Sequence, residues 1–232
     1  MRIRVLACSC RSHIMIGALG DLRAVVGRGR AEIEMVGLPA AGSPGGMECW
    51  YEEALAGPYI IDAVRQAEQG GCSAVVLDCI LDPCLRAARQ AVSIPVIGPG
   101  QATLAFMACL AERFSLVAVT NSVKTLWDVI RRNGFAHRVV DVAGVDVPLT
   151  RLVDPDAALI SEMHRVCGAE IEKGAEAIAL GCTGMSRLVA PLMGDLPVPL
   201  VEPATVAIHT AMSMVEMGVS HSKVAYPFPP VR

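Results

Sequence analysis

Aromatic side chains are scarce, at 4% of 232 residues, although 53% of the chain is hydrophobic. A core with so few rings has to be built from Ala, Val, Leu and Ile. That composition suits buried parallel strands covered by helices. No apolar run is long and continuous enough to span a bilayer. The apolar part of Met1–Leu6 is too short for a signal peptide, so none is expected. A basic excess is also missing, since the net charge is −3, and nothing points to nucleic acid.

Several chemical signatures are absent too. No Cys-x-x-Cys pair occurs, Cys8 and Cys10 are spaced wrongly for a zinc knuckle, and no two histidines stand at i, i+4. No metal site is therefore expected. The Gly-x-Ser-x-Gly elbow of a serine nucleophile is missing. The first strand is not followed by a phosphate-binding glycine fingerprint, which argues against a nucleotide cofactor. Nine cysteines, an odd number, read as reduced thiols in a cytoplasmic protein.

What the chain does contain is a repeat. Gly71-Cys-Ser-Ala-Val-Val-Leu-Asp-Cys79 and Gly174-Ala-Glu-Ala-Ile-Ala-Leu-Gly-Cys182 match in Gly, Ala74/Ala177, Leu77/Leu180 and Cys, all 103 positions apart. Pro95-Val-Ile-Gly-Pro99 matches Pro199-Leu-Val-Glu-Pro203 at an offset of 104. A fixed offset over several elements implies two similarly folded halves, each with one cysteine at the same structural address.

Strand and helix patterns alternate through both halves. The reading predicts right-handed βαβ units and an α/β fold of two similar doubly wound parallel-sheet domains related by a pseudo-two-fold axis. The expected domains are 1–98 together with 206–232, and 99–205. Ile14 to Val26 and Glu48 to Gln69 read as helices, the second kinked or restarted at Pro58. Asp82-Pro83 and Asp154-Pro155 each read as an N-cap followed by the first helical residue. The Gly- and Pro-rich stretch Gly37 to Gly46 reads as a loop, with Gly42 to Gly46 a candidate lid.

Ligands of such sheets bind at the carboxyl ends of the strands. Cys79, Cys182, Ser9, Ser12, Thr120 and Asn121 all fall at that edge, so the site is expected in the interdomain cleft. Both cysteines precede expected helix starts, where free N–H groups lower a thiol pKa from about 8.5. The same N–H groups can hold a carboxylate or a developing enolate. One thiolate could remove a proton from a carbon while the other thiol protonates the opposite face. The other reading of buried cysteine is a small hydrophobe, and it is assigned to Cys8, Cys72, Cys84, Cys109 and Cys167.

Leu180-Gly-Cys-Thr-Gly-Met185 resembles the second catalytic motif of the aspartate/glutamate/hydantoin racemase superfamily. Cys79-Ile-Leu-Asp-Pro-Cys-Leu85 resembles its first, in the form seen in hydantoin and allantoin racemases. Glu48 to Ala54 and Phe114 to Thr120 are similar to further segments of that branch. The resemblance implies a cofactor-independent racemase or epimerase with Cys79 and Cys182 as the two bases. Its substrate would be a carbon acid beside a carbonyl: a 5-substituted hydantoin, a ureido acid or an amino-acid derivative. Ile80, Thr183 and Gly184 would bind substrate through backbone N–H groups, with Ser9, Arg11, Ser12, Ser43, Thr120 and Asn121 completing the pocket. Ser9-Cys-Arg-Ser12 matches neither the Asn-Pro-Asn loop of the hydantoin branch nor the Asp-Ser-Gly of the glutamate branch. A homo-oligomer is expected, with a small-molecule substrate and neither a nucleic-acid nor a membrane partner. Malonate decarboxylation or cis–trans isomerisation of a diacid is the alternative on the same fold. Non-catalytic binding of a small molecule is the alternative of another class.

Overall fold

The computed structural model describes residues 1–8, 16, 19–20, 23–24, 26–40 and 43–230. Strands β1 (Arg2–Ala7), β2 (Glu32–Gly37), β3 (Ala74–Leu77) and β4 (Val96–Ile97) form a parallel sheet in the order β2-β1-β3-β4. Strands β5 (Phe114–Val119), β6 (Val139–Val145), β7 (Ile178–Leu180) and β8 (Leu200–Val201) form a second, in the order β6-β5-β7-β8. The second order is the first moved on by one half. Helices are α1 (Trp50–Gln69), α2 (Leu85–Ala91), α3 (Pro99–Leu110), α4 (Val123–Arg132), α5 (Leu149–Val153), α6 (Ala157–Glu172), α7 (Val189–Leu192) and α8 (Pro203–Glu216). Of the helix expected over 14–26, the described residues are helical in part of its span, Arg23 among them.

The repeat extends to single hydrogen bonds. Gly71 and Gly174 both take positive φ, +79° and +98°, which glycine adopts without Cβ strain. Gly71 N–H bonds to Glu68 O and Cys72 N–H to Ala67 O; Gly174 and Ala175 make the matching bonds to Ile171 O and Glu170 O. Each pair closes a long helix and aims the chain into the cysteine-bearing strand.

The cysteine-bearing strands of both sheets are buried on both faces. In β3, Val75 and Leu77 pack with Ile60, Val64 and Ala88 on one side. Ala74 and Val76 pack with Ala207, Ile208, Ala211 and Met212 of α8 on the other. The two-residue alternation of a strand makes this division. In the second sheet Ala177 and Ala179 meet Leu104 and Met107 of α3, while Ile178 and Leu180 meet Met163 and Cys167 of α6. The chain therefore crosses over twice: α3 covers the second sheet and α8 returns to cover the first. The tail also returns. His221 Nε2 lies 2.9 Å from the N–H and the carbonyl of Val96, and the Arg89 guanidinium sits 5.4 Å from the Tyr226 ring centroid. This covers the open edge of β4.

Local details differ from the sequence reading. α1 runs through Pro58 without a break, since the loss of one N–H is tolerated in a well-packed helix. α6 is capped by Asp156, whose carboxylate accepts from Leu159 N–H, rather than by Asp154; α5 intervenes just before it. Asp82 does not cap the helix that follows it. α2 begins only at Leu85, with Cys84 at its N-cap and no side-chain cap bond. Asp82 and Cys84 both sit at positive φ, +53° and +54°. The turn carries the Asp82 carboxylate instead to Gly100 N–H and Gln101 N–H, each at 2.7 Å, at the start of α3.

Candidate active site

Parallel strands put the carboxyl ends of β3 and β7 at one edge, and the two matched cysteines leave the sheets there. After β3 the chain is tied by Asp78 N–H to Leu6 O at 2.8 Å, and Cys79 follows. After β7, Gly181 N–H bonds to Val117 O at 2.6 Å. A Cβ on Gly181 would stand 2.6 Å from Ala118 Cβ, so only glycine lets the strand end lie this close.

A cavity of about 110 Å³ lies between the halves. Cys79 and Cys182 both line it, each partly exposed. Ala7, Cys8, Asp78, Ile80 and Leu81 contribute from the first half. Val119, Ser122, Val147, Leu152, Gly181 and Thr183 contribute from the second, and Gly46, Met47 and Glu48 close one side. The Cys182 sulfur accepts the Gly184 N–H at 3.3 Å, and the Leu81 N–H favours the Cys79 thiolate from the matching position.

Burial nevertheless pushes both thiols up. The Cys79 thiol is raised chiefly by desolvation, against which the Leu81 N–H works, and Cys182, Asp82 and Asp78 add to the rise. Cys182 is pushed up to about 11, again by burial first, with the Gly184 N–H and Arg23 opposing and Asp78 and Glu48 adding. This corrects the expectation of a depressed thiol. Cys79 is followed by a turn rather than a helix, and Cys182 by a 3-10 turn over Thr183–Leu188. Neither turn offsets the loss of water.

A buried ionic group stands behind the cysteines. The Arg23 guanidinium lies 3.3 Å from Asp78 and 3.6 Å from Glu202, and it donates to Ser186 Oγ and Thr183 O, each at 2.7 Å. Asp78, the residue before Cys79, is thereby paired. Burial raises its pKa and Arg23 opposes that rise.

The residues expected at the site divide as follows. Cys79, Cys182, Ile80 and Thr183 meet at the cavity, and Gly184 bonds to the Cys182 sulfur. Ser9, Arg11 and Ser12 lie outside the described residues. Ser43 bonds through its hydroxyl to the Pro39 carbonyl within its own loop and is not among the described lining residues. Thr120 opens a 3-10 turn with its side chain against Gly144, so Ser122 rather than Thr120 lines the cavity. Asn121 donates to Glu48 Oε2 at 3.0 Å, across the cleft. Cys8, read as a core thiol, lines the cavity as well and donates to Leu6 O. Leu81 and Glu48 were not singled out. Leu81 could have been, because it is Gly184 less the repeat offset of 103. Among the described residues no group of three His, Cys, Asp or Glu is arranged to hold a metal ion.

The family described as Asp/Glu/Hydantoin racemase matches residues 21–211. The chain belongs to this family. It is 32% identical over 205 residues to a hydantoin racemase of Pseudomonas sp. (strain NS671), covering 86% of this chain and 82% of that one. It is 33% identical over 193 residues to a hydantoin racemase of Rhizobium meliloti, covering 82% and 80%. The solved allantoin racemase of Klebsiella pneumoniae superimposes with a TM-score of 0.92 at 26% identity, over 100% of this chain and 95% of that one. The protein is thus an isomerase of the racemase type, similar to the hydantoin racemases. The two-domain α/β fold is that of its racemase relatives, and among the described residues no helix is long and apolar enough to cross a membrane.

Proposed function

We propose that the protein is a cofactor-independent racemase of 5-substituted hydantoins, with Cys79 and Cys182 as its two bases. The observation that carries this reading is the pair of sulfurs. They line one cavity from opposite halves, and at each the N–H two positions on favours the thiolate. Groups of one kind on opposite sides of a bound carbon suit abstraction from one face and protonation on the other. The C5 proton of a hydantoin is flanked by a carbonyl, and backbone N–H groups near the sulfurs, such as those of Ile80 and Thr183, are suited to the developing enolate oxygen.

The charge of the cavity supports a neutral ring. The charged side chains among its described lining residues are Asp78, which Arg23 pairs, and Glu48, both acidic. Glu48 can accept from a ring N–H, whereas the free carboxylate of a ureido acid or amino acid would be repelled. The same argument weighs against a malonate or another diacid. Family membership weighs against a purely binding role.

On this reading the first domain comprises 1–98 with 206–232 and the second 99–205. The packing of α3 on the second sheet and of α8 on the first supports that division. A homo-oligomer is proposed from exposed apolar side chains such as Phe106, Met193 and Met217. A cytoplasmic setting is proposed from the free cysteines.

The test is incubation in D₂O with single enantiomers of 5-substituted hydantoins, N-carbamoyl amino acids and free amino acids, followed by polarimetry and mass. Decay of optical rotation with uptake of one deuterium at C5 is expected for the hydantoins. Racemisation of the open-chain acids alone would overturn the assignment of substrate. Racemisation of none would overturn the catalytic reading of the cavity.

A further inference from the structure

We infer that Arg23 is a positioning residue, which holds the two cysteine-bearing loops at a fixed separation and supplies the positive charge behind Cys182. The inference rests on the two-thiol reading above. Asp78 immediately precedes Cys79, and Thr183 immediately follows Cys182. One guanidinium nitrogen, Nη2, donates to Thr183 O at 2.7 Å and faces Asp78 Oδ1 at 3.3 Å. It therefore touches the chain neighbours of both cysteines, one in each half. Its other terminal nitrogen donates to Ser186 Oγ at 2.7 Å and lies 3.6 Å from Glu202 Oε1.

Glu202 in turn accepts from Ala204 N–H and Thr205 N–H, at 3.1 and 2.6 Å, at the start of α8. The network thus runs from β3 through Arg23 and the turn after Cys182 to the helix that returns to the first sheet. Arg23 is 1% exposed, Asp78 4% and Glu202 8%, so water neither screens these charges nor replaces a lost partner.

A planar, always-charged fork suits this task, and lysine would not. Two acceptors lie in different halves, and a fork holds both at set angles where an ammonium on a flexible stem would not. The electrostatic part follows from what else faces Cys182. Asp78 and Glu48 disfavour its thiolate, and Arg23 favours it. Without Arg23 the Asp78 carboxylate would lose its counter-charge.

Arg23→Lys and Arg23→Met would be compared with wild type by steady-state racemisation, thermal unfolding and iodoacetamide alkylation. Alkylation of Cys182 would be followed against pH in a Cys79→Ser background. Arg23→Lys should lose about 100-fold in kcat with KM nearly unchanged, the scale expected for a misplacement of around 1 Å. Arg23→Met should also shift the Cys182 alkylation profile upward by about one pH unit, so alkylation at a fixed lower pH slows about tenfold. Wild-type kcat and an unmoved alkylation profile in both variants would overturn the inference, even with a lowered melting temperature, for then Arg23 is only a structural clamp. Should Arg23→Met fail to fold, Arg23→Lys and Ser186→Ala decide the same way through kcat. A wild-type protein that racemises nothing would sink the proposed function; the alkylation profile would still decide whether Arg23 acts on Cys182.

Discussion

Thr183 donates its hydroxyl to the carbonyl of Asp78 at 3.1 Å, and both residues are buried. The residue after one cysteine is thus bonded to the residue before the other. Thr183→Val keeps the shape but leaves a buried carbonyl unpaired, at a cost of about 1–3 kcal/mol in unfolding free energy. If this bond helps set the spacing of the thiols, kcat should fall about tenfold in Thr183→Val and recover in Thr183→Ser. Denaturant unfolding and steady-state rates on the same preparations check both parts.

Gly100 is a second point of close contact, this time behind Cys79. A Cβ there would stand 2.2 Å from the Ile80 carbonyl oxygen and 3.0 Å from Asp82 Oδ2. Helix propensity alone favours Gly→Ala by about 1 kcal/mol. Here the clash is with backbone in the Cys79 turn, which cannot swing aside like a side chain. Gly100→Ala should therefore destabilise the protein and lower kcat, while Gly168→Ala in α6, with open space around it, should be neutral or stabilising. Melting temperatures and rates of the two variants make the comparison.

The halves, the alternation of strands and helices and the cysteine addresses were legible because they rest on local patterns: apolar runs, closing glycines and a fixed offset. The Gly184 N–H beside Cys182 was within reach, and the offset of 103 points to Leu81 as its counterpart. Long-range polar partnerships were not legible. Asp82-Pro83 has the form of an N-cap, yet the cap goes to a helix 17 residues further on, because the turn at positive φ redirects the carboxylate. Arg23 lies in a segment expected to be helical and was not singled out, and only the folded chain shows it buried between two carboxylates. Thiol pKa values were misjudged because helix-start N–H groups can be guessed from sequence, whereas desolvation depends on the whole cavity.

The loop before α1 is held across the cleft by Glu48. Its carboxylate accepts from Asn121 Nδ2 at 3.0 Å, and its carbonyl accepts from Thr125 Oγ1 at 3.1 Å. Gly46 and Met47, beside it, line the cavity. If this stretch acts as the lid, Asn121→Ala should loosen closure and raise KM several-fold with a smaller effect on unfolding. An unchanged KM and unchanged rate of hydantoin release would remove the lid from the mechanism.

The raised thiols set a pH dependence. With Cys182 pushed up to about 11 and Cys79 raised as well, both are protonated at neutral pH. Thiolate then grows about tenfold per pH unit, and kcat/KM should climb with unit slope from pH 7 to beyond pH 9. Stability should move the other way. A thiol whose pKa is higher in the folded protein than its free value of about 8.5 contributes stability that is complete below that value. The contribution is lost as pH rises through the folded pKa. Cys182→Ser should therefore flatten the loss of stability above pH 8.5, as read by denaturant unfolding.

The proposed division of labour between the sulfurs gives the most specific expectation. In a two-base racemase each turnover uses one sulfur as base and the other as acid. Cys79→Ser and Cys182→Ser should each abolish racemisation in both directions. Exchange need not vanish, because the remaining thiol can remove the proton it faces and return solvent deuterium to the same side. Each single variant should label one enantiomer with retention, and the two variants should choose opposite enantiomers. The geometry requires the sulfurs to flank one carbon, about 6–8 Å apart if each approaches within about 3–3.5 Å of it. Chiral chromatography with mass detection reads label and configuration in one run. Wild-type racemisation by either variant, or labelling of the same enantiomer by both, would show that the two thiols do not serve opposite faces.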